Sequence, residues 1–371
     1  MKILVLASNF KSVTPDSISA PERIASIIAD GMVERGHEVA LAASGDSKTK
    51  ARLFSVHPSA GILDPKIGQK RHIDYEIMLI KEAINLANRE NFDLICSQFD
   101  TRSAILASWA KCPVISVLHS PLNPSINPIL TLYNNDQKYI SISDSQRMGN
   151  PKLNYVKTIH HGVDTDLFEF EPQSQNYLIT VGRAVPEKAF DLSIEIAKKS
   201  KQKLKIITSV KAEINKEYLK KHVYPEVDNK NIFCKENVPY LDIHNEINKA
   251  KAFIFPIKWE EAFGLVLIES MASGTPVIAY AHGSVPEIVL DGETGFIVNT
   301  SLDEKRGDWI VKKNGIEGMV EAINKIYSMP ENEYKKMRER CRKHTEKNFT
   351  IKKMLDEHEE TYKKVISEYK R

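Results

Sequence analysis

The chain has 371 residues, of which 42% are hydrophobic and 27% charged, as expected for a globular protein of about two domains. A net charge of +3, with basic and acidic residues interleaved, predicts no specific nucleic-acid binding. Four widely spaced cysteines form no C-x-x-C pair, which argues against disulfides or a zinc site and favours a cytoplasmic protein. No apolar run reaches the roughly 18 residues of a spanning helix, so no segment is expected to cross a membrane. Peripheral membrane contact stays an open alternative that the sequence does not specifically indicate.

Short apolar runs alternate with longer amphipathic segments through the first half of the chain. Runs rich in Ile, Val and Leu predict buried strands at 2–8, 37–44, 93–98, 113–119, 138–142 and 156–160. Amphipathic segments predict helices at 21–35, 76–90 and 103–110. The first of these helices has the clearest ends, because Pro21 stands at its start and Gly36 follows it.

The same alternation begins again in the second half. It predicts strands at 177–182, 203–209, 231–234, 252–256, 276–280 and 296–298. It predicts helices at 191–200, 212–222, 241–250, 264–273 and 316–328. Such alternation indicates parallel sheets with right-handed crossovers, and therefore an α/β protein with two doubly wound domains. We expect the hinge near 164–176, where the periodicity breaks, and a helical tail over 331–371.

Two carboxylates, Glu261 and Glu269, flank Gly264 and a short apolar run. The pattern of this segment predicts a loop, then a helix, then a strand. A helix entered through Gly264 presents free N–H groups and a positive dipole end to a ligand. Carboxylates beside an anion-binding helix end suit a ligand with both phosphate and hydroxyl groups, such as a nucleotide-sugar. The alternative for Glu261 is an acid that only stabilises the helix start, whereas Glu269 needs a partner in so apolar a helix.

A second group of candidate residues follows the strand at 177–182. This strand ends in Gly182, and Arg183 and Lys188 stand in the loop before the next helix. The first strand end of a doubly wound domain is a favoured ligand position. An arginine fork and a mobile lysine charge suit a diphosphate, although solvated charges on a surface turn are the alternative.

These motifs together resemble the family-four retaining glycosyltransferases of the GT-B fold, in which two Rossmann-like domains face each other across a cleft. The resemblance covers most of the chain and is strongest from 177 to 298, in the two segments above together with Ser273–Val277 and Gly283–Phe296. It implies an acceptor-side domain over 1–168 and a nucleotide-sugar-binding domain over 169–350. A C-terminal helix over 351–371 is expected to pack back on the first domain.

The resemblance implies catalytic roles for four residues. Arg183 and Lys188 would hold the donor diphosphate, and Glu261 would accept hydrogen bonds from the transferred sugar. His119 ends the strand at 113–119, where the family often has a histidine near the sugar or the departing phosphate. The alternative for His119 is a structural histidine with its own hydrogen bonds.

The resemblance also implies a set of donor-binding residues. Backbone N–H groups at 263–265 would contact the sugar and the distal phosphate, Glu269 the ribose, and Val238 the base. The complete set is Gly182, Val238, Phe263, Gly264, Leu265 and Glu269. The resemblance implies no metal and no cofactor, and the nucleoside-diphosphate-sugar would be a co-substrate.

Three features of the sequence differ from the family pattern or imitate another one. The loop over 9–23 lacks the glycine pair that lets the backbone approach the diphosphate, and Ala262 replaces a common proline. His161 stands where asparagine is commoner. Asp164 and Asp166 imitate a metal-binding acidic pair of another glycosyltransferase fold, but their position after a Gly-Val turn indicates helix capping.

The resemblance therefore implies sugar transfer from a nucleoside-diphosphate-sugar to a hydroxyl acceptor, with retention of anomeric configuration. The acceptor would be a sugar, a lipid-linked compound or another small molecule. An epimerase or phosphorolytic enzyme of the same fold and a non-catalytic sugar-nucleotide-binding protein remain alternatives. A nicotinamide oxidoreductase is disfavoured, because no G-x-G-x-x-G follows the first strand.

Overall fold

The computed structural model describes residues 1–17, 19–171, 173–210 and 213–370, with the backbone alone for Gln69, Glu213 and Ile214. The chain forms two compact units. The first unit comprises Met1–His161 with Ile351–Arg371, and the second comprises Gly162–Thr350. The boundary therefore falls after His161, whereas the sequence placed the end of the first domain at residue 168.

The first unit contains a seven-stranded parallel sheet in the order β3-β2-β1-β4-β5-β6-β7. Its strands are β1 Lys2–Leu6, β2 Glu38–Ala42, β3 Arg52–Phe54, β4 Leu94–Ser97, β5 Val114–Val117, β6 Lys138–Ser141 and β7 Tyr155–Thr158. The central strands are buried on both faces, which explains their continuous apolar runs. The sequence missed β3, because three partly exposed residues at a sheet edge carry no periodic signal.

Five helices accompany this sheet before the boundary: α1 Ala20–Glu34, α2 Gly68–Arg89, α3 Arg102–Leu106, α4 Asn127–Leu132 and α5 Asp144–Met148. The predicted start of α2 at residue 76 is wrong, because the polar first turns of this helix hide its apolar stripe. The sequence also missed α4 and α5, which are too short for a helical period to emerge.

The second unit contains a six-stranded parallel sheet in the order β10-β9-β8-β11-β12-β13. Its strands are β8 Leu178–Arg183, β9 Leu204–Ser209, β10 Ile232–Glu236, β11 Ala252–Phe255, β12 Val277–Tyr280 and β13 Gly295–Val298. All six predicted strands are confirmed, with small shifts at their ends. The carboxyl ends of the neighbouring strands β8 and β11 lie at one edge of the sheet and lead into the loops discussed below.

The helices of the second unit are α6 Phe190–Ser200, α7 Glu213–His222, α8 Tyr240–Ile247, α9 Leu265–Ala272, α10 Val285–Ile288, α11 Gly315–Tyr327 and α12 Glu331–Asn348. Residue 212, the predicted start of α7, lies outside the described residues. α12 packs on α9, and its buried Arg338 donates to the carbonyl oxygens of Asn248 (2.6 Å) and Ala250 (3.2 Å). These bonds satisfy a guanidinium with no access to water and hold α12 in place behind α9.

The last helix, α13 Ile351–Tyr369, belongs to the first unit. The helical tail is thus divided at residues 349–350 between the two units. α13 packs on α1 so closely that a Cβ atom at Gly31 would lie 2.3 Å from Leu355 Cδ1. Arg35 Nη1 and Glu359 Oε2 form an ion pair at 3.0 Å beside this contact. Among the described residues, no helix combines the length and apolar character that a membrane crossing requires.

Candidate functional site

The carboxyl end of β8 places three predicted residues together. Gly182 and Arg183 end the strand. A short 3-10 turn over Pro186–Lys188 follows, and it places Lys188 beside the strand end. A Cβ atom at Gly182 would lie 3.3 Å from Lys188 Cγ, so the glycine makes room for the lysine side chain. Arg183 is exposed, and the structure gives it no hydrogen bond or ion pair with the described residues. Its guanidinium is 6.0 Å from the ring centroid of Trp259.

Lys188 and Glu261 form the centre of the candidate site. Lys188 Nζ lies 2.6 Å from Glu261 Oε2, and Trp259 Nε1 donates to the same oxygen at 3.1 Å. The ammonium group also lies 5.0 Å from the ring centroids of Phe255 and Trp259. The structure therefore joins residues from two loops into one charged group lined by aromatic rings.

The loop that carries Glu261 is fixed by the turn before α10. Gly283 has a φ of +58°, and a Cβ atom there would lie 2.1 Å from the Glu261 carbonyl oxygen. Ser284 N–H donates to that carbonyl at 2.9 Å, and Ser284 Oγ donates to the Phe263 carbonyl at 2.7 Å. Only a glycine permits so close an approach of the two backbones, and the result is a rigid position for Glu261.

Glu260 provides a second attachment of the same loop. Its Oε2 accepts from Gly283 N–H at 2.6 Å, and Arg306 binds both of its oxygens at 2.9 and 2.5 Å. A bidentate arginine–carboxylate pair of this kind fixes the orientation of both side chains and also attracts them to each other. Glu260 thus supports the loop, whereas the adjacent Glu261 turns its carboxylate towards Lys188.

Gly264 begins α9 in the left-handed conformation, with a φ of +82°. The first N–H groups of any helix have no partner within the helix, and the positive end of its dipole lies there. The residues Phe263, Gly264 and Leu265 therefore bring an anion-binding helix end to the loop that holds Glu261. A side chain at residue 264 would come within 3.3 Å of Glu261 Cγ.

Glu269 lies further along α9 and is only 5% exposed. Tyr240, the first residue of α8, donates its hydroxyl to Glu269 Oε1 at 2.8 Å. The sequence predicted that this acid needs a partner but did not identify Tyr240, because the two residues are 29 positions apart in different elements.

Val238 lies two residues after β10 and is half-buried. It lines an open groove of about 780 Å³ with residues of β9, β10 and α8. Lys205 and Lys235 in this groove both pair with Glu246, whereas Arg183, Lys188 and Glu261 do not line it. The structure thus places Val238 in the lining of a groove that Lys188 and Glu261 do not line.

His119 follows the carboxyl end of β5 in the first unit. Its backbone N–H donates to Asp100 Oδ1 at 2.7 Å, and its Nε2 lies 2.9 Å from Gln98 Oε1. Because the Gln98 amide nitrogen donates to Cys96 Sγ, the amide oxygen faces His119, which therefore carries its proton on Nε2. Burial lowers the pKa of His119 below its ordinary value, while the charges of Asp100 and Glu22 oppose the shift.

Two further histidines lie near His119. The ring of His161 stacks on it with centroids 5.4 Å apart, and burial holds the pKa of His161 well below its ordinary value. Burial also lowers the pKa of His358, on α13, to about 3. These histidines are neutral at physiological pH, and the histidine at position 161 adds a ring stack that the commoner asparagine would lack.

The remaining sequence candidates have structural explanations. Asp164 Oδ1 accepts from Asp166 N–H at 3.1 Å and caps a 3-10 turn over Thr165–Leu167, which confirms the predicted capping. In the part of the chain that the structure describes, no three His, Cys, Asp or Glu side chains are arranged to hold a metal. The carbonyl groups of Asn9 and Phe10, in the loop without glycines, accept from Gly61 and Ile62 N–H at 2.9 Å each.

Sequence reasoning missed the residues that support the candidate site. They are Gln98, Tyr240, Trp259, Glu260, Ser284 and Arg306. The segment Gly283–Phe296 was part of the resemblance, so Gly283 and Ser284 were recognised as family residues, but neither was given a function. Trp259 and Glu260 directly precede Glu261 in the sequence, but no local pattern gave them a role. Gln98, Tyr240 and Arg306 reach the site only through the tertiary structure.

The two parallel-stranded α/β units have the architecture of GT-B glycosyltransferases. Sucrose-phosphate synthase from Thermosynechococcus elongatus matches 99% of each chain with a TM-score of 0.79 at 14% identity. Anabaena HepE, solved in complex with UDP and glucose, matches 98% of this chain and 100% of its own with a TM-score of 0.73 at 18% identity. At such identities these likenesses establish the fold.

Sequence comparison establishes the family. The model for glycosyl transferases group 1 matches residues 165–347, and the model for glycosyltransferase family 4 matches residues 22–167. N-acetyl-alpha-D-glucosaminyl L-malate synthase of Bacillus anthracis is 22% identical over 91% of this chain and 92% of its own. The chain belongs to the family-four, group 1 glycosyltransferases of the GT-B fold.

Proposed function

We propose that the protein transfers a sugar from a nucleoside-diphosphate-sugar to a hydroxyl acceptor and retains the anomeric configuration. The observation that carries this proposal is the buried Lys188–Glu261 pair beside Arg183 at the carboxyl end of β8. Together these three side chains offer positive charge for a diphosphate and a carboxylate for sugar hydroxyls. The HepE structure, which contains UDP and glucose, supports the choice of ligand class.

Arg183 and Lys188 bind the diphosphate in this proposal. Arg183 forms no ion pair with the residues that the structure describes, so its fork is available to two phosphate oxygens. The first N–H groups of α9 add a fixed dipole aimed at the distal phosphate. Because these groups are positioned before the reaction, they stabilise the negative charge that grows on the leaving diphosphate without further reorganisation.

Glu261 orients the transferred sugar. Lys188 and Trp259 both contact its Oε2, so Oε1 is the oxygen that accepts hydrogen bonds from sugar hydroxyls. Glu269 is assigned to the ribose hydroxyls and Val238 to the base, as in the family. Tyr240 keeps the Glu269 carboxylate oriented for this role.

The chemical step breaks the bond between C1 of the sugar and the phosphate oxygen, and its electron pair leaves with the diphosphate. The acceptor oxygen attacks C1 from the same face, and its proton passes to the departing phosphate oxygen. Charge and atoms then balance without a covalent enzyme intermediate. The resemblance implies a place for His119 beside the sugar or the departing phosphate. Because its Nε2 proton is donated to Gln98, His119 keeps Nδ1 as an acceptor for a sugar hydroxyl.

The test compares Arg183→Ala with Lys258→Ala, which removes an exposed cation paired with Asp191. Loss of one preorganised charge contact should reduce kcat about 100- to 1,000-fold for Arg183→Ala and leave Lys258→Ala near wild type. Glu261→Gln should show a loss of similar size. Turnover of both site variants within threefold of wild type contradicts the proposal, and NMR of the first product reports the anomeric configuration.

The same assays separate the alternative functions. Incubation with donor alone yields an isomerised sugar if the protein is an epimerase. Transfer to inorganic phosphate indicates a phosphorolytic enzyme. Donor binding without release of nucleoside diphosphate, with or without acceptor, indicates a sensor. Thermal-shift screening against a panel of nucleotide-sugars identifies the donor, because a ligand stabilises the state that binds it.

A further inference from the structure

A buried line of polar side chains leads from the last helix to His119. Tyr362 on α13 donates its hydroxyl to Cys96 Sγ at 2.9 Å. Gln98 Nε2 donates to the same sulfur at 3.2 Å, and Gln98 Oε1 lies 2.9 Å from His119 Nε2. All four side chains belong to the first unit, although 266 positions separate Tyr362 from Cys96. The line therefore joins β4, the end of β5 and α13 through three hydrogen bonds.

Three members of this line have little or no contact with water. Cys96 and Tyr362 are completely buried, and Gln98 is nearly so. A buried amide or hydroxyl without a partner is costly, whereas two apolar side chains of similar size replace a buried polar pair at little cost. Packing alone thus gives no reason for polar groups here. A satisfied polar network instead holds its members in one arrangement.

The sulfur determines which end of the Gln98 amide faces His119. Burial raises the pKa of Cys96 to about 12, so the sulfur belongs to a neutral thiol. It accepts from the Tyr362 hydroxyl and from the Gln98 amide nitrogen, which leaves the amide oxygen for His119. Because an amide oxygen only accepts hydrogen bonds, the proton of the His119 ring lies on Nε2.

The other nitrogen of the His119 ring is available to a ligand. His119 is half-buried, and its Nδ1 has no hydrogen-bond partner among the described residues. Unlike Nδ1 of His358, this nitrogen is not shielded from water. A neutral ring with its proton on Nε2 thus presents an accessible hydrogen-bond acceptor at Nδ1.

We propose that Gln98 is a positioning residue for His119 and that Tyr362 of the C-terminal helix, acting through Cys96, fixes the orientation of the Gln98 amide. The inference rests on the proposed function, in which His119 Nδ1 accepts a hydrogen bond from a sugar hydroxyl. A ring with its proton on Nδ1, or a ring that rotates, would lose this acceptor. The C-terminal helix thus contributes to the candidate site without contact with the substrate.

Nitrogen-15 NMR of the free protein tests the position of the proton. In ¹H–¹⁵N spectra of histidine-labelled protein at pH 7.5, the variant His119→Asn identifies the His119 signals. Wild-type His119 should carry a proton on Nε2 and none on Nδ1. Gln98→Met removes the amide oxygen at nearly constant side-chain length. The Nε2 proton of His119 should then exchange with water roughly 2- to 10-fold faster, the usual effect of losing one hydrogen bond.

A second buried glutamine of the first unit provides the matched control. Gln137 Oε1 accepts from Ser116 Oγ at 2.9 Å. Gln137→Met therefore makes the same chemical change at a comparable depth but breaks a different hydrogen bond. It should leave the position and the exchange rate of the His119 proton unchanged.

The hydroxyl of Tyr362 is tested against that of Tyr139, which is equally buried and donates to the Leu130 carbonyl at 3.3 Å. Tyr362→Phe removes the bond that fixes Cys96, so the Nε2 proton of His119 should exchange about twofold faster or more. Tyr139→Phe should leave the exchange rate unchanged. Thermal unfolding shows whether each variant is folded, and this pair decides the matter if Gln98→Met does not fold.

Calorimetric titrations with UDP-glucose and UDP separate positioning from a structural role. UDP lacks the sugar, so a loss of affinity confined to UDP-glucose reports the hydroxyl contact of His119. Gln98→Met should weaken UDP-glucose binding roughly 2- to 10-fold and leave UDP binding unchanged. Gln137→Met should bind both nucleotides as wild type does.

A proton on Nδ1 of wild-type His119 overturns the inference, as does an equal response of its signals to Gln98→Met and Gln137→Met. Equal weakening of UDP and UDP-glucose binding by Gln98→Met assigns Gln98 a structural role and also overturns it. No effect of Tyr362→Phe overturns the part assigned to α13. If wild type binds neither nucleotide, the proposed donor is contradicted instead, and the spectra of the free protein still decide whether Gln98 and Tyr362 fix the proton.

Discussion

Lys188 Nζ and Glu261 Oε2 lie 2.6 Å apart, although 73 positions separate the two residues in the sequence. Their side chains are only 12% and 11% exposed, so the pair is largely removed from water. Each charge compensates the other, and both remain beside the end of β8, where a diphosphate and a sugar would be bound.

Breaking this pair should destabilise the second unit. Lys188→Met or Glu261→Gln leaves one buried group without its partner and should each reduce the free energy of unfolding by about 3 kcal/mol or more. The double variant should lose less unfolding free energy than the sum of the losses in the two single variants. Urea denaturation measures all four proteins of this cycle. Lys198→Met, at an exposed pair with Glu226, is the control and should cost about 1 kcal/mol or less. Strict additivity would contradict the coupling.

Gly283→Ala should be much more harmful than Gly36→Ala. Both glycines have positive φ angles, but a Cβ atom at Gly283 would lie 2.1 Å from the Glu261 carbonyl oxygen, whereas nothing lies within 4 Å at Gly36. We expect a loss of about 1 kcal/mol at Gly36 and about 3 kcal/mol or more at Gly283. Chemical denaturation gives both values, and kcat should fall only for Gly283→Ala. Equal losses would show that the backbone contact is unimportant.

Tyr240→Phe should weaken donor binding while leaving the fold intact. The substitution removes the hydroxyl that donates to Glu269 Oε1 at 2.8 Å and leaves the ring in place. A lost bond to a buried carboxylate costs about 1.5–3 kcal/mol, which corresponds to roughly 10- to 100-fold in donor affinity if Glu269 holds the ribose. Calorimetric titration with the nucleotide checks this. Tyr224→Phe, which removes an exposed hydroxyl bonded to Glu236, should bind donor as wild type does.

Stability should fall as the pH decreases below about 6.5, the ordinary pKa of histidine. Burial lowers the pKa of His358 to about 3 in the folded protein, so between these values only the unfolded chain takes up the proton. The unfolded state then gains stability as the pH falls, by about 1.4 kcal/mol per such histidine at pH 5.5.

His358→Gln should remove this share of the pH dependence. The difference in unfolding free energy between pH 7.5 and 5.5 should be smaller than in wild type by about 1.4 kcal/mol. Denaturation curves at both values measure it. Between pH 7.5 and 8.5 the two proteins should respond alike, because His358 is neutral in both states there. An unchanged difference at low pH would mean that His358 is protonated in the folded protein.

The strands of the second unit and the residues around Glu261 were predictable for local reasons. Apolar runs such as β11 and β12 end at turn residues, and Gly264 is conspicuous between an acidic loop and an apolar helix. The edge strand β3 was not predictable, because its stability comes from pairing with β2 and not from its own composition. The partner of Glu269 was not predictable either, because Tyr240 stands 29 positions away at the start of another helix.

The alternation of elements, the glycine before α9 and the types of charged side chain at the strand ends were all evident in the amino-acid sequence. These features depend on periodicity and turn chemistry over a few neighbouring residues. The direct contacts of Lys188 with Glu261 and of Tyr240 with Glu269 came from the folded chain alone. Such pairings depend on strand order and on the filling of space by distant residues, which no short stretch of sequence contains.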